Sequence, residues 1–261
     1  MKNLTKLSAF LLALLCFACL PASAERGETT PYSWYFAKND RHERPTLDSN
    51  LEFVSDYDCV FLGKNEKVIY LTFDAGYENG NVEKILDILK REQVPGAFFV
   101  LGNLITQNPE LIRRMADEGH LVCNHSYAHK DMTGWSEAQI RDELTRLEDT
   151  CRETCGIEIA KYFRPPEGRF SRSLLESVNK MGYKTVFWSF AYADWDNARQ
   201  PDTAKAAAKV LDNVHNGAVI LLHPTSATNA AILGNVIAAL KADGYRFGTL
   251  DELTAQHGSE G

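Results

Sequence analysis

Val68-Ile69-Tyr70-Leu71-Thr72-Phe73-Asp74-Ala75-Gly76 is the stretch that decides the fold. It reads as a buried strand that runs out at a carboxylate and then a glycine. Four other apolar runs follow the same plan: Leu121–Cys123, Ala160–Phe163, Thr185–Phe190 and Ala218–Leu222. An ionisable group follows each at once or within a few residues: His125 with His129, then Arg164, Asp194 and His223. Helix-like segments separate the runs. Strands alternating with helices imply a parallel sheet, whose carboxyl ends open on one face. Five such ends can converge on one pocket, as in a closed β/α barrel. A doubly wound open sheet is the architectural rival, but it feeds its ligand site from two neighbouring strands at a switch point.

The segments between the strands carry helix punctuation. Residues 81–93 place Val82, Ile85, Leu86 and Leu89 on one face. Asn108 with Pro109 opens a helix that Gly119 follows. Ser136 and Gln139 form a capping box for a helix to about Arg152. Further helices are read from Ser171 to Gly182, over 201–215 and over 227–243, with a short final strand over 246–250. Residues 25–62 lack a period and read as an extended segment wrapping the domain, which itself spans 63–258.

The 261 residues suffice for one sizeable core, and 44% hydrophobic with 24% charged residues is a globular balance. A net charge of −7 argues against nucleic acid as a partner. No stable protein partner is expected. Lys2 and Lys6, an apolar run from Ala9 to Leu20, and Pro21-Ala22-Ser23-Ala24 read as a signal peptide over residues 1–24, cleaved before Glu25. The same run admits an uncleaved anchor. Past that point four cysteines remain, Cys59, Cys123, Cys151 and Cys155, and spacing does not choose a pairing. Cys151 and Cys155 share a helix face, where a bridge is awkward.

The strand-end residues suit hydrolysis. His125 and His129, four apart, would share one face of a helical turn and can bind one divalent metal. Asp74 is the candidate general base for a water on that metal. Arg164, in the stiff Arg164-Pro165-Pro166-Glu167-Gly168 loop, can pair with a carboxylate and keep it ionised. His223 is the candidate general acid, oriented by Asp194, and Trp195 beside that acid suits a sugar face.

TFDAG, HSYAH, RPPEG, the Asp194-Trp195 step and LLHP, in that order, resemble the five motifs of the polysaccharide deacetylases with a NodB homology domain. The longer strings TFDAGYENG, FRPPEGRFS, TVFWSFAYADWD and LLHPTSATNA resemble the muramic acid deacetylases that make δ-lactam in spore-cortex peptidoglycan. The resemblance implies a distorted (β/α)7 barrel in a single catalytic domain and metal-dependent N-deacetylation of a peptidoglycan amino sugar, N-acetylmuramic acid. It also implies an extracytoplasmic location at the cell wall or spore cortex. The resemblance assigns Asp74 as base, His125 and His129 as ligands of one divalent metal with zinc as the expected ion, Arg164 as the partner of the base, and His223 as the acid tuned by Asp194. Tyr127, Glu167 and Trp195 are the candidate substrate or oxyanion contacts, Glu167 through its backbone N–H. The family's usual third metal ligand, an aspartate, is Ala75 here. Two other readings stand beside this one: deacetylation of N-acetylglucosamine in peptidoglycan, chitooligosaccharide or an exopolysaccharide, and an inactive glycan-binding barrel.

Overall fold

The computed structural model of the chain describes residues 28–37 and 41–257, so the leader assigned to 1–24 lies outside the described residues. In chain order the first half comprises β1 (Tyr32–Ser33), β2 (Cys59–Val60), β3 (Val68–Ala75), α1 (Val82–Glu92), β4 (Ala97–Val100), α2 (Gly102–Gln107), α3 (Pro109–Asp117) and β5 (Leu121–Asn124). The second half comprises α4 (Glu137–Cys155), β6 (Ala160–Phe163), β7 (Arg169–Phe170), α5 (Arg172–Lys180), β8 (Lys184–Val186), α6 (Thr203–Asn213), β9 (Val219–Leu222), α7 (Ala227–Ala242), β10 (Arg246–Phe247) and α8 (Leu250–His257).

Strand β3 organises the sheet. One edge pairs with β4, and the other with β10 at Val68–Ile69 and with β9 at Tyr70–Phe73, all parallel. From β4 the order continues through β5, β6 and β8 to β2. The chain after β8 bends, then rejoins β9 through a parallel bridge between Phe190 and Ile220. That bridge closes the curled sheet into a distorted barrel ringed by helices. Alternation along β3 sorts its side chains. Val68 and Tyr70 point inward, with Phe99, Cys123, Val186 and Val219, and Leu250 and Leu253 of α8 join that interior cluster at the barrel floor. Ile69, Leu71 and Phe73 point outward onto α1 and α7. The inward row reaches its polar members at Thr72 and then Asp74, which puts the chemistry at the carboxyl-end mouth.

Caps follow the sequence in most places. Ser136 and Gln139 make the capping box, and α4 continues to Cys155 before Gly156 turns left-handed, a few residues beyond the expected end. Ser171 and Ser226 cap α5 and α7. Asn108 precedes α3 but its side chain makes no cap bond, so Pro109 alone marks that start. The expected strand over 185–190 is regular only to Val186, and the strand from Arg246 stops at Phe247 because Leu250 already begins α8. The segment before Lys67 is more structured than its lack of period implies. Cys59 and Val60 add a parallel strand beside β8. Trp34 is buried, stacks on Phe187 with ring centroids 4.1 Å apart, and donates its indole N–H to the Trp188 carbonyl at 2.8 Å. The four described cysteines are free thiols, and Cys123 is a small buried interior residue. Among the described residues no helix is long and apolar enough to cross a membrane.

Candidate active site

Arg164, the residue after β6, runs through the barrel interior with no solvent exposure. Its Nη1 donates to Oδ1 of Asp74 at 2.8 Å and its Nη2 to Oγ1 of Thr72 at 2.9 Å. Its Nε donates to the Val186 carbonyl at 2.9 Å, and the guanidinium carbon lies 4.2 Å from the Phe99 ring centroid. Thr72 passes the chain on by donating to the Ile220 carbonyl at 2.7 Å. A further Nη2 contact to the Phe187 carbonyl at 3.4 Å brings four hydrogen bonds to the guanidinium, the kind of pairing a buried cation needs. Burial pushes the Asp74 carboxyl up, yet the Arg164 guanidinium outweighs that and holds it below the usual carboxylate value.

His125 follows β5 and is buried. Its Nδ1 lies 2.8 Å from the Arg164 carbonyl oxygen, which can only accept, so Nδ1 carries the hydrogen and Nε2 presents a lone pair. Burial pushes the imidazole down to about 4 despite the nearby Asp74, so the ring is neutral near pH 7. Nε2 stands 3.4 Å from Oδ2 of Asp74. With the ring neutral this is no ion pair: two acceptors face each other, an arrangement that a cation between them satisfies. The His129 ring lies edge-on to His125 with centroids 4.9 Å apart. The donor set therefore fits a cation held by two imidazoles, though among the described residues no group of three His, Cys, Asp or Glu side chains is arranged to hold a metal. Ala75 is consistent with that shortfall.

The two histidines do not share a helical turn, contrary to the sequence expectation. Residues 125–129 form a loop in which Ser126 and His129 adopt left-handed φ of 68° and 54°. Such backbone is unfavourable for non-glycine residues and needs outside support. Asn124 Oδ1 accepts from Ser126 N at 2.9 Å, Ser126 Oγ from His129 N at 2.9 Å, and Glu143 of α4 from Ala128 N at 2.7 Å.

At the opposite side of the mouth, Nδ1 of His223 is 2.7 Å from Oδ1 of Asp194, whose side chain is fully buried. Burial pulls the imidazole down, but the Asp194 hydrogen bond and charge prevail and raise it above its ordinary value. The ring remains partly exposed, at 26% of its side chain. Trp195 is 61% exposed, its ring centroid 6.2 Å from that of His223.

Six sequence candidates thus gather at the mouth: Asp74, His125, His129, Arg164, Asp194 and His223, with Trp195 beside them. Tyr127, in the same loop as His125 and His129, makes packing contacts. Its ring fills the space over Gly102, where a Cβ would come within 2.4 Å of it, and lies under the Arg146 guanidinium at 3.8 Å. The ring thus packs between α2 and α4. Glu167 is exposed, and only its backbone remains a candidate, on a turn where Glu167 and Gly168 take φ of 57° and 65°. A Cβ at Gly168 would meet Trp188 at 2.7 Å, so glycine is needed there. Sequence reasoning missed Thr72, the Arg164 relay, and Asn229, whose amide reaches Asp194 from α7. An asparagine in the first turn of a largely apolar α7 was a weak signal, shared with Asn235 further along the helix.

Fold and site together define an α/β barrel whose mouth gathers an ionised carboxylate, two imidazoles and a carboxylate-backed histidine, a set suited to hydrolysis. Residues 62–186 match the family described as polysaccharide deacetylase. The peptidoglycan-N-acetylmuramic acid deacetylase PdaA of Bacillus subtilis is 41% identical over 234 residues, 89% of each chain. The solved structure of B. subtilis PdaA, a family 4 carbohydrate esterase, superposes with a TM-score of 0.85 at 40% identity, covering 88% of this chain and 99% of that one. The peptidoglycan-N-acetylglucosamine deacetylase PgdA of Listeria monocytogenes is 34% identical over 190 residues, 73% of this chain but 39% of its own. The chain belongs to the polysaccharide deacetylase family.

Proposed function

We propose that the protein removes the acetyl group from N-acetylmuramic acid in peptidoglycan glycan strands, on the route to muramic δ-lactam in spore cortex. The similarity to PdaA over nearly nine-tenths of the chain supports the sugar assignment. The observation that carries the chemistry is the pairing, at one mouth, of an arginine-held carboxylate with a carboxylate-backed histidine. Two titratable groups pushed to opposite protonation states are the signature of a base and an acid.

His125 and His129 would hold one divalent ion, zinc by the preference of imidazole donors. When bound, that ion supplies Lewis-acid charge to the acetamide carbonyl and the attacking water. Asp74, kept ionised by Arg164, takes the proton from the water as it attacks the carbonyl carbon. The Glu167 N–H is the candidate backbone donor to the oxyanion. His223, protonated through Asp194, gives its proton to the amine as the carbon–nitrogen bond breaks. Acetate and a free amino sugar leave. Trp195 offers an exposed face on which the sugar ring can stack.

Residues 1–24 direct export, and mature protein beginning at Glu25 tests that assignment by N-terminal sequencing. Acetate release from purified peptidoglycan, with and without a chelator, tests the activity. Chelator-sensitive release supports the reading, and no release under any metal supply leaves a glycan-binding barrel.

A further inference from the structure

We propose that Asn229 is a positioning residue for the Asp194–His223 pair, fixing which oxygen of Asp194 meets the imidazole. The inference rests on the proposed role of His223 as proton donor.

The geometry is specific. Oδ1 of Asp194 takes Nδ1 of His223 at 2.7 Å. Oδ2 receives two donors, the His223 backbone N–H at 2.8 Å and the Asn229 Nδ2 amide at 2.6 Å. The same amide nitrogen reaches the His223 carbonyl at 3.1 Å. One side chain on α7 therefore grips both the carboxylate and the main chain of the histidine it serves. Tyr192 donates its hydroxyl to Oδ1 of Asn229, which sets the orientation of the amide. Turning the amide over would place its oxygen against the Asp194 carboxylate and its NH2 against the tyrosine hydroxyl. Asn229 is 1% exposed, so water cannot replace either contact readily.

The surroundings show that this is more than a helix start. Ser226 already caps α7 by accepting from the Asn229 backbone N–H at 3.1 Å. The Asn229 side chain is free of that duty and aims at the carboxylate instead. The Gln200 side-chain amide fastens the backbone of the same loop, Nε2 donating to the Asp194 and Asp196 carbonyls at 3.1 and 3.0 Å while Oε1 accepts from Ser226 Oγ and Thr228 N. Gln200 fixes the path of the loop, and Asn229 fixes the rotation of the carboxylate.

Without the amide, Oδ2 of Asp194 keeps only the His223 backbone N–H, and the carboxylate is freer to turn and share its oxygens differently with His223. The charged groups acting on that imidazole are Asp194, Asp74 from β3 and Arg164 after β6, with the Trp195 ring beside it. Asp194 makes the direct bond, so its misorientation lowers the proton affinity of the ring.

The test uses the full chain with labelled histidine, following the His223 ring by NMR as pH is varied, alongside acetate release from peptidoglycan. Asn229→Ala should move the His223 midpoint to lower pH by about one pH unit. It should cut kcat about tenfold with little change in KM, and shift the alkaline limb of the rate profile the same way. Asn229→Leu keeps the volume and stands in if the alanine variant unfolds. Tyr192→Phe keeps the amide but loosens its orientation, so a smaller shift in the same direction is expected. A folded Asn229→Leu or Tyr192→Phe series with the midpoint and kcat at wild-type values overturns the proposal. If the wild-type protein releases no acetate, the functional reading fails, while the His223 titration still decides the role of Asn229.

Discussion

Arg164 holds Asp74 by one Nη1–Oδ1 hydrogen bond of 2.8 Å, from a guanidinium with no solvent exposure to a carboxylate that is nearly buried. The pair keeps a carboxylate, the proposed base, ionised at the end of a strand. Asp74→Asn keeps the shape but cannot accept the proton. Loss on the order of 10²–10⁴ in rate is expected with the fold intact. Near-full activity in a folded variant would remove Asp74 from the mechanism.

Arg164→Leu should cost stability as well as activity. It leaves a buried carboxylate without its counter-charge, a loss of about 3–5 kcal/mol. The pair also has a pH signature. Asp74 titrates lower in the folded state than in the unfolded chain, so its stabilisation is present above the unfolded value near pH ~4 and is lost as pH falls through the lowered folded value. Urea titrations from pH 7 downward should show this acid-dependent loss in the native protein and a weaker one in Arg164→Leu.

His223 titrates above its ordinary value because Asp194 outweighs its burial. The stability it contributes is complete below the unfolded value near pH ~6.5 and disappears as pH rises through the raised folded value. On the proposed mechanism the same proton limits catalysis on the alkaline side and Asp74 on the acid side, so kcat/KM should be bell-shaped. His223→Ala should flatten the alkaline limb. An unchanged limb in that variant means another group donates the proton.

Ala75 is fully buried in the apolar layer outside the barrel, where an aspartate would be costly unless a cation drew it to the mouth. Ala75→Asp should therefore melt at lower temperature in chelator and recover with added Zn²⁺, and bind the ion more tightly than the native chain by calorimetric titration. Native protein should carry little metal as isolated and regain activity when metal is supplied. Equal affinity in the two proteins would mean that the carboxylate is not what this site lacks.

Trp195 stands largely in solvent beside His223, an arrangement that burial does not explain. Trp195→Ala should raise KM for glycan by about threefold to tenfold with a smaller change in kcat, the loss of one stacking contact. A change in kcat alone would place the ring in the chemistry rather than in substrate binding.

Much of this was legible before the structure. β3 is buried on both faces, so it reads as an unbroken apolar run, and its termination at Asp74 marks the mouth. The same logic located Arg164, Asp194 and His223. What was not legible depends on contacts between distant segments. The 125–129 loop looks helical by its spacing, but Asn124, Ser126 and Glu143 hold it in left-handed turns that no periodicity announces. The seat of the Tyr127 ring, over Gly102 and under Arg146, joins segments that sequence spacing does not connect. Cys59 and Val60 become a strand only because β8 offers an open edge. Asn229 acquires a purpose only when α7 packs against the end of β9.

The most direct test of the account is mass spectrometry of defined muropeptides, carrying both amino sugars, after incubation with metal-supplied protein. Loss of one acetyl group located on muramic acid, absent with Asp74→Asn, is the expected result. Loss confined to N-acetylglucosamine would contradict the substrate assignment, and no loss from either sugar with metal present would contradict the proposed deacetylation itself.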